Sequence, residues 1–133
     1  MNLLKIFSLT LLLFSSFASA ETVSKAIVIQ GNGDKPQFER ALKLASNMHE
    51  VLTTSKFEIV VFGPTVKLLT EDSDELPLIQ KVQSEGIKIV ACGRSMDTDQ
   101  VKKTDLIAGV TVTAFGAVHI VNRQKQGWQY FKP

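Results

Sequence analysis

Apolar residues fall into short runs, the first of them unbroken, separated by longer segments in which they recur every three or four positions. An unbroken run of four to eight apolar residues between turn residues is typical of a strand buried on both faces, since a half-solvated strand would alternate. Residues 26–29 form such a run, and the shorter or interrupted apolar runs 57–62, 87–91, 110–112 and 128–131 predict four further strands. Glycine, proline and asparagine follow several of these runs and indicate that the chain turns there.

The segments between the predicted strands have helical spacing. After Pro36, which suits the first turn of a helix, apolar residues recur along one face as far as Leu52. The other predicted helices cover residues 76–84, 95–103 and 115–126, and residues 65–75 form a short turn or helix followed by a loop. Alternating strands and helices predict an α/β protein, a three-layer α/β/α sandwich with a mainly parallel five-stranded sheet.

The first 20 residues have the pattern of an export signal. Lys5 precedes the apolar run Ile6–Phe14, and the small residues Ala18, Ser19 and Ala20 follow. The run is shorter than the about 20 residues that a membrane-spanning helix needs. We therefore predict a signal peptide over residues 1–20, a single domain over residues 21–133, a periplasmic or secreted location, and no membrane attachment after cleavage.

Charge and cysteine content restrict the class of protein further. The formal net charge of the chain is +2, and basic residues are scattered among acidic ones, so no nucleic-acid partner is predicted. The one cysteine, Cys92, excludes an internal disulfide and a C-x-x-C dithiol. The domain must be stabilised by packing alone.

Cys92 is the residue most suited to chemistry. It follows the third predicted strand, and ligands of parallel sheets bind at the carboxyl ends of the strands. Gly93, Arg94 and Ser95 come next, and a helix beginning at Ser95, with Arg94 close by, would favour the thiolate, which is the reactive form. We name Cys92 as the candidate catalytic residue and the three that follow as substrate contacts. The alternative is that Cys92 is a small buried apolar residue.

The loop after the first strand supplies two further candidates. Asn32 and Asp34 lie between Gly31 and Pro36, and we expect them at the same rim as Cys92. Pro36 stands where a G-x-G-x-x-G motif would need its third glycine, so no dinucleotide and no other cofactor is predicted.

Histidines and aromatic residues carry weaker signals. His49 and His119 lack the spacing of a metal-binding pair, so we predict surface or interface positions and no metal site. A copper(I) site of Cys92, Met96 and a histidine stays open as an alternative, because thiolate and thioether suit that ion. Aromatic residues close to the C-terminus, Trp128, Tyr130 and Phe131, favour packing or a subunit contact.

Several segments together resemble the DsrE/DsrF-like family, in particular its small single-cysteine members. The similar segments are Gly86–Gly93, Asp105–Val110, Asn47, Gly116, Arg123–Tyr130 and Lys132–Pro133. The resemblance implies a three-layer α/β/α domain and a homo-oligomer of two, three or six chains. It also implies that Cys92 carries sulfane sulfur as a persulfide, with a thiol or persulfide protein as donor or acceptor.

These observations leave three hypotheses of function, and they do not decide whether the protein is an enzyme. The first is an exported sulfur carrier or sulfurtransferase-type protein in which Cys92 accepts sulfur. The second is a non-catalytic oligomeric module that binds a small ligand or a protein, with a structural Cys92. The third is copper(I) binding. The exposure and surroundings of Cys92 distinguish them best.

Overall fold

The computed structural model describes residues 26–133, so the predicted signal peptide at residues 1–20 lies outside the described residues. The strands are β1 (Ala26–Gln30), β2 (Lys56–Val61), β3 (Lys88–Cys92), β4 (Thr111–Thr113) and β5 (Gln129–Phe131). The helices are α1 (Lys35–Val51), α2 (Leu76–Ser84), α3 (Gly93–Thr98) and α4 (Gly116–Lys125), with 3₁₀ segments at Gly63–Leu69 and Lys103–Asp105. None of the helices in this part of the chain is long and apolar enough to cross a membrane.

The five strands form one sheet in the order β4-β3-β2-β1-β5, and all neighbouring strands are parallel. In register, Ile29 of β1 lies beside Ile59 of β2, and Val60 of β2 beside Val90 of β3. The structure thus confirms the predicted α/β sandwich. The strand order could not be obtained from periodicity.

The strand order explains why the two faces of the sheet are covered unequally. The chain moves from β1 through β2 and β3 to β4 in one direction, and it then returns across the whole sheet from β4 to β5. Connections between parallel strands are right-handed, so a reversal of direction moves the connecting helix to the opposite face. Accordingly α1, α2 and α3 pack on one face, and α4 is the one described helix that packs on the other.

The two faces contain separate apolar clusters. The cluster beneath α1, α2 and α3 is large and includes Phe38, Leu42, Ile59, Ile89 and Met96. The cluster beneath α4 is small and consists of Val28, Val60, Val90 and Ile120, with Phe62 and Trp128 partly buried against it. Few apolar contacts therefore attach α4 to the sheet.

The third helix differs from its prediction. It was predicted over residues 95–103 but spans Gly93–Thr98, with Cys92 as its N-cap residue. It ends early because Gln100 has a φ of 57°, a left-handed conformation that stops a helix. The earlier start has a chemical consequence, since the amides of Arg94 and Ser95 now lie in the first turn directly after Cys92.

Candidate functional site around Cys92

Cys92 ends β3, which lies between the edge strand β4 and the central strand β2, and it is only 1% exposed. Alternate residues of a strand point to opposite faces, so Val90 and Cys92 point towards α4, whereas Ala91 points towards the α1 face. The candidate thiol is therefore buried between the sheet and the N-terminus of α4.

Gly116, the first residue of α4, lies directly against Cys92. A Cβ added to Gly116 would meet Cys92 Cβ at 3.1 Å and Phe62 Cβ and Val60 Cγ1 at 3.3 Å. Any side chain at this position would force the helix or its neighbours to shift, so glycine allows the close approach. Its backbone N–H is thereby directed at the sulfur of Cys92.

Ser95 connects Cys92 to the neighbouring strand. Its Oγ accepts a hydrogen bond of 2.7 Å from the backbone N–H of Gly63, which follows β2. Because that oxygen accepts from Gly63, the hydroxyl proton is free to be donated to the sulfur of Cys92, which the Ser95 side chain contacts. Ser95 thus fixes the turn after β2 and stabilises the thiolate.

The surroundings of the sulfur favour its ionised form. Burial alone would raise the pKa of the Cys92 thiol, but the Ser95 hydroxyl and the backbone amides of Gly116, Ser95 and Arg94 outweigh it and lower that pKa. The Arg94 amide also donates to the carbonyl of Ala114 at 3.2 Å, so its hydrogen is shared. The result is a thiol with thiolate character in a site closed to solvent.

Gly93 and Arg94 have specific places beside the thiol. A Cβ on Gly93 would lie 3.1 Å from the carbonyl oxygen of Thr113, so glycine allows β4 to pass close to the turn. The guanidinium of Arg94 is exposed and lies 5.4 Å from the centre of the Phe115 ring, at the start of α4. This pair forms the solvent side of the site.

Asn32 and Asp34 do not lie beside Cys92. Asp34 is the N-cap of α1, where its carboxylate accepts from the amide of Gln37 at 2.9 Å, and α1 packs on the face of the sheet opposite to Cys92. Asn32 follows β1, which β2 separates from β3, and its side chain accepts a 2.5 Å hydrogen bond from Gln30. Their expected contact with the same ligand stays a prediction.

The residues of the copper(I) alternative are not brought together. Met96 packs in the cluster beneath α1, whereas Cys92 points to the opposite face. The ring nitrogen of His119 lies 2.8 Å from the Glu58 carboxylate, and His49 packs edge-on against Phe57. Among residues 26–133 no three His, Cys, Asp or Glu side chains are close enough together to hold a metal ion. His119 is half-buried, and the buried carboxylate of Glu58 holds its ring.

Two residues that the sequence reasoning did not assign to the site belong to its surroundings. Gly116 was part of the family resemblance but had no role, since its contact with Cys92 depends on the path of α4. Glu58 interrupts the apolar run 57–62 that predicts the second strand, and it is buried with His119 and Arg123 of α4 as its partners. The one acidic residue inside a predicted buried strand was the sequence feature that could have indicated this role.

Comparison with known proteins identifies the family of the chain. The model of the DsrE/DsrF-like family matches residues 24–133. The chain belongs to this family. The match covers every residue that the structure describes, including Cys92 and both helices at the thiol. No functionally curated protein sequence matches the chain significantly.

Solved structures of the same fold include three bacterial or archaeal proteins. A protein of unknown function, MTH1491 from Methanobacterium thermoautotrophicum, is 25% identical, with 81% of this chain and 97% of that chain covered and a TM-score of 0.75. The ychN protein from E. coli is 11% identical, with coverages of 83% and 99% and a TM-score of 0.70. A conserved protein of unknown function, BT1422 from Bacteroides thetaiotaomicron, is 22% identical, with coverages of 82% and 95% and a TM-score of 0.66. These likenesses agree with the DsrE-like fold.

Proposed function

We propose that this DsrE-like protein is a sulfur carrier in which Cys92 accepts the terminal sulfur of a persulfide or polysulfide. The Cys92 thiolate attacks the outer sulfur of a donor R–S–SH, a new S–S bond forms, the donor S–S bond breaks, and R–S⁻ leaves. An acceptor thiolate then attacks the outer sulfur of the Cys92 persulfide and releases the Cys92 thiolate. Both steps exchange one S–S bond for another, so no external oxidant or reductant is needed.

The observation that supports this proposal is the set of hydrogen-bond donors around one sulfur. A buried cysteine with a purely structural role would have a raised pKa. At Cys92 the Ser95 hydroxyl and the amides at the starts of α3 and α4 lower the pKa of the thiol in spite of burial. The same donors would stabilise the terminal sulfur of a persulfide, which is also anionic. Membership of the DsrE/DsrF-like family supports the same reading.

The test is sulfur uptake by the reduced protein. We expect incubation with polysulfide to increase the intact mass by one sulfur atom per chain, and subsequent incubation with a small thiol to remove it. Because Cys92 is the only cysteine, the site of addition needs no mapping. The rate should rise with pH through the lowered pKa of the thiol and then level off, since only the thiolate attacks.

The control is Cys92→Ser, which keeps the size of the side chain but has no thiol. It should gain no mass under the same conditions. Equal sulfur addition in wild type and Cys92→Ser, or no addition to the wild type, would refute the carrier role.

A non-catalytic binding module is the second candidate, and the 1% exposure of Cys92 favours it. In such a protein the thiol would be inaccessible in the native state. Alkylation of the wild type that proceeds only as fast as global unfolding would support this candidate over sulfur transfer.

We also propose that the protein acts as a homo-oligomer after export to the periplasm or the exterior. Six of the eight large apolar side chains that are exposed in residues 26–133 lie in the segment that begins with β4 and ends with β5. Three of them, Phe115, Val118 and Val121, follow one another at three-residue steps on the outer side of α4 and are called the α4 stripe here. Exposed apolar patches of this kind are typical of protein interfaces, and a second copy of this chain is the occupant that the family resemblance implies.

Charges within the α4 stripe should therefore disrupt assembly. We expect Val118→Glu combined with Val121→Glu to weaken self-association by about 100-fold or more, because two valines lose their burial and two carboxylates are desolvated. Light scattering after gel filtration measures the change. Val51→Glu is the matched control, because Val51 is 80% exposed at the end of α1, and the control should keep the wild-type mass. A monomeric wild type, or equal assembly of all three proteins, would contradict the proposed interface.

A further inference from the structure

Glu58 is a buried acid in the middle of the central strand β2, and it is 3% exposed. Its carboxylate is bound by two residues of α4. Oε1 accepts from Nη2 of Arg123 at 2.6 Å, and Oε2 accepts from Nε of Arg123 at 2.9 Å and pairs with Nε2 of His119 at 2.8 Å. These three residues are called the Glu58 cluster here.

The Glu58 cluster determines where α4 lies on the sheet. The helix has few apolar contacts with the sheet, of which Ile120 is the main one. Arg123 approaches the carboxylate with two parallel N–H groups, a geometry that tolerates little displacement. Its guanidinium also lies 4.5 Å from the centre of the Trp128 ring and donates to Gln126. An ion pair of this kind adds little net stability compared with apolar packing, but it fixes one arrangement of the two elements.

The position of α4 in turn determines whether Cys92 is accessible. His119 lies one turn after Gly116, and Gly116 contacts Cys92. As long as α4 stays in place, the thiol has its Gly116 amide donor and is closed to solvent. Because Cys92 is 1% exposed and Gly116 lies directly against it, movement of the start of α4 away from β3 would open a path for a sulfur donor to the thiol.

We infer that Glu58, His119 and Arg123 are positioning residues that hold α4 over Cys92 and so set how often the thiol becomes accessible. The inference deepens the proposed function, on which its biological use rests, because it identifies what regulates the carrier site. Access to the thiol is measurable without any sulfur transfer.

Alkylation of the single thiol in the full-length protein under native conditions tests the inference. Glu58→Gln keeps the shape of the side chain and removes its charge, so we expect alkylation at least about tenfold faster than in the wild type. The pH dependence should also move, because a displaced α4 no longer directs its amide at the sulfur and the pKa of the thiol rises. Arg123→Lys keeps the charge without the paired geometry and should give an intermediate rate.

The matched control is Val82→Ala, which removes buried apolar volume from α2 on the opposite face of the sheet. It lowers global stability but leaves α4 and Cys92 untouched, so its alkylation rate and pH profile should equal those of the wild type. If Glu58→Gln does not fold, Arg123→Lys and His119→Gln provide the same comparison. Acceleration in all variants in proportion to lost stability, or no acceleration in the cluster variants, would overturn the inference.

Sulfur uptake measured on the same samples separates the two proposals. A wild type that takes up no sulfur, together with fast alkylation of Glu58→Gln, rejects the carrier role and keeps the positioning role. A wild type that takes up sulfur, together with an unchanged Glu58→Gln, keeps the carrier role and rejects the positioning role.

Discussion

Replacing Gly116 with valine is expected to lower the free energy of unfolding by about 2–3 kcal/mol and to raise the pKa of the Cys92 thiol. The added Cβ would lie 3.1 Å from Cys92 Cβ and 3.3 Å from Phe62 Cβ, and the two methyl groups need further space. The start of α4 must therefore shift away from β3, and the backbone amide that stabilises the thiolate moves with it. Urea unfolding measures the first effect and the pH dependence of alkylation the second.

Ala117→Val is the matched control, because Ala117 is the next residue of α4 and is exposed. It places the same valine side chain on the neighbouring position of the helix without a clash, at a cost in helix propensity of about 0.5 kcal/mol relative to alanine. We expect its alkylation profile to match that of the wild type. If both variants lost equal stability and kept the same profile, close packing of Gly116 on Cys92 would have no functional importance.

Replacing Ser95 with alanine is expected to make alkylation of Cys92 slower than in the wild type at low pH and faster than in the wild type at high pH. Loss of a hydrogen bond to a charged group costs about 1.5 kcal/mol, which raises the pKa of the Cys92 thiol. At pH values below that pKa, the thiolate fraction is therefore about tenfold smaller than in the wild type. A more basic thiolate is about threefold more nucleophilic, so the net alkylation rate should fall about threefold at low pH and rise about threefold at high pH. Stopped-flow alkylation over a range of pH would show the two profiles crossing.

Ser95→Ala is also expected to lower the free energy of unfolding. The backbone N–H of Gly63 loses its partner, and an unpaired, partly buried donor costs about 1–3 kcal/mol. Ser84→Ala is the control, since Ser84 is exposed on α2 and its hydroxyl donates to the carbonyl of Lys81 within the same helix. Parallel pH profiles for Ser95→Ala and the wild type would mean that the Ser95 hydroxyl does not act on the sulfur.

Local pattern was sufficient for most of the secondary structure. The strand predicted over residues 26–29 is Ala26–Gln30, and the helix predicted over residues 115–126 is Gly116–Lys125, because buried runs and helical spacing are properties of neighbouring residues. The helix after Cys92 was predicted too far towards the C-terminus, because the sequence does not show the left-handed conformation of Gln100 that ends the helix.

In the candidate site, too, some residues could be found from local sequence pattern and others only from the tertiary structure. Cys92 and Ser95 could be named from their place after β3, because the carboxyl end of a parallel strand is a local property. Asn32 and Asp34 were expected beside them only because their loop also follows a strand, and β2 lies between the two strands. The contact of Gly116 with Cys92 and the pairing of Glu58 with α4 join residues far apart in the chain, so no local pattern could reveal them.

By itself, the sequence determined that this is an α/β domain of the DsrE/DsrF-like type with one thiol at the end of a buried strand. Tertiary structure alone decided that the thiol is buried and that the first residue of α4 lies against it. The reason is topological, since the return of the chain from β4 to β5 places α4 by itself on one face of the sheet. Its first residue, Gly116, then meets Cys92, while its polar residues reach the carboxylate of Glu58.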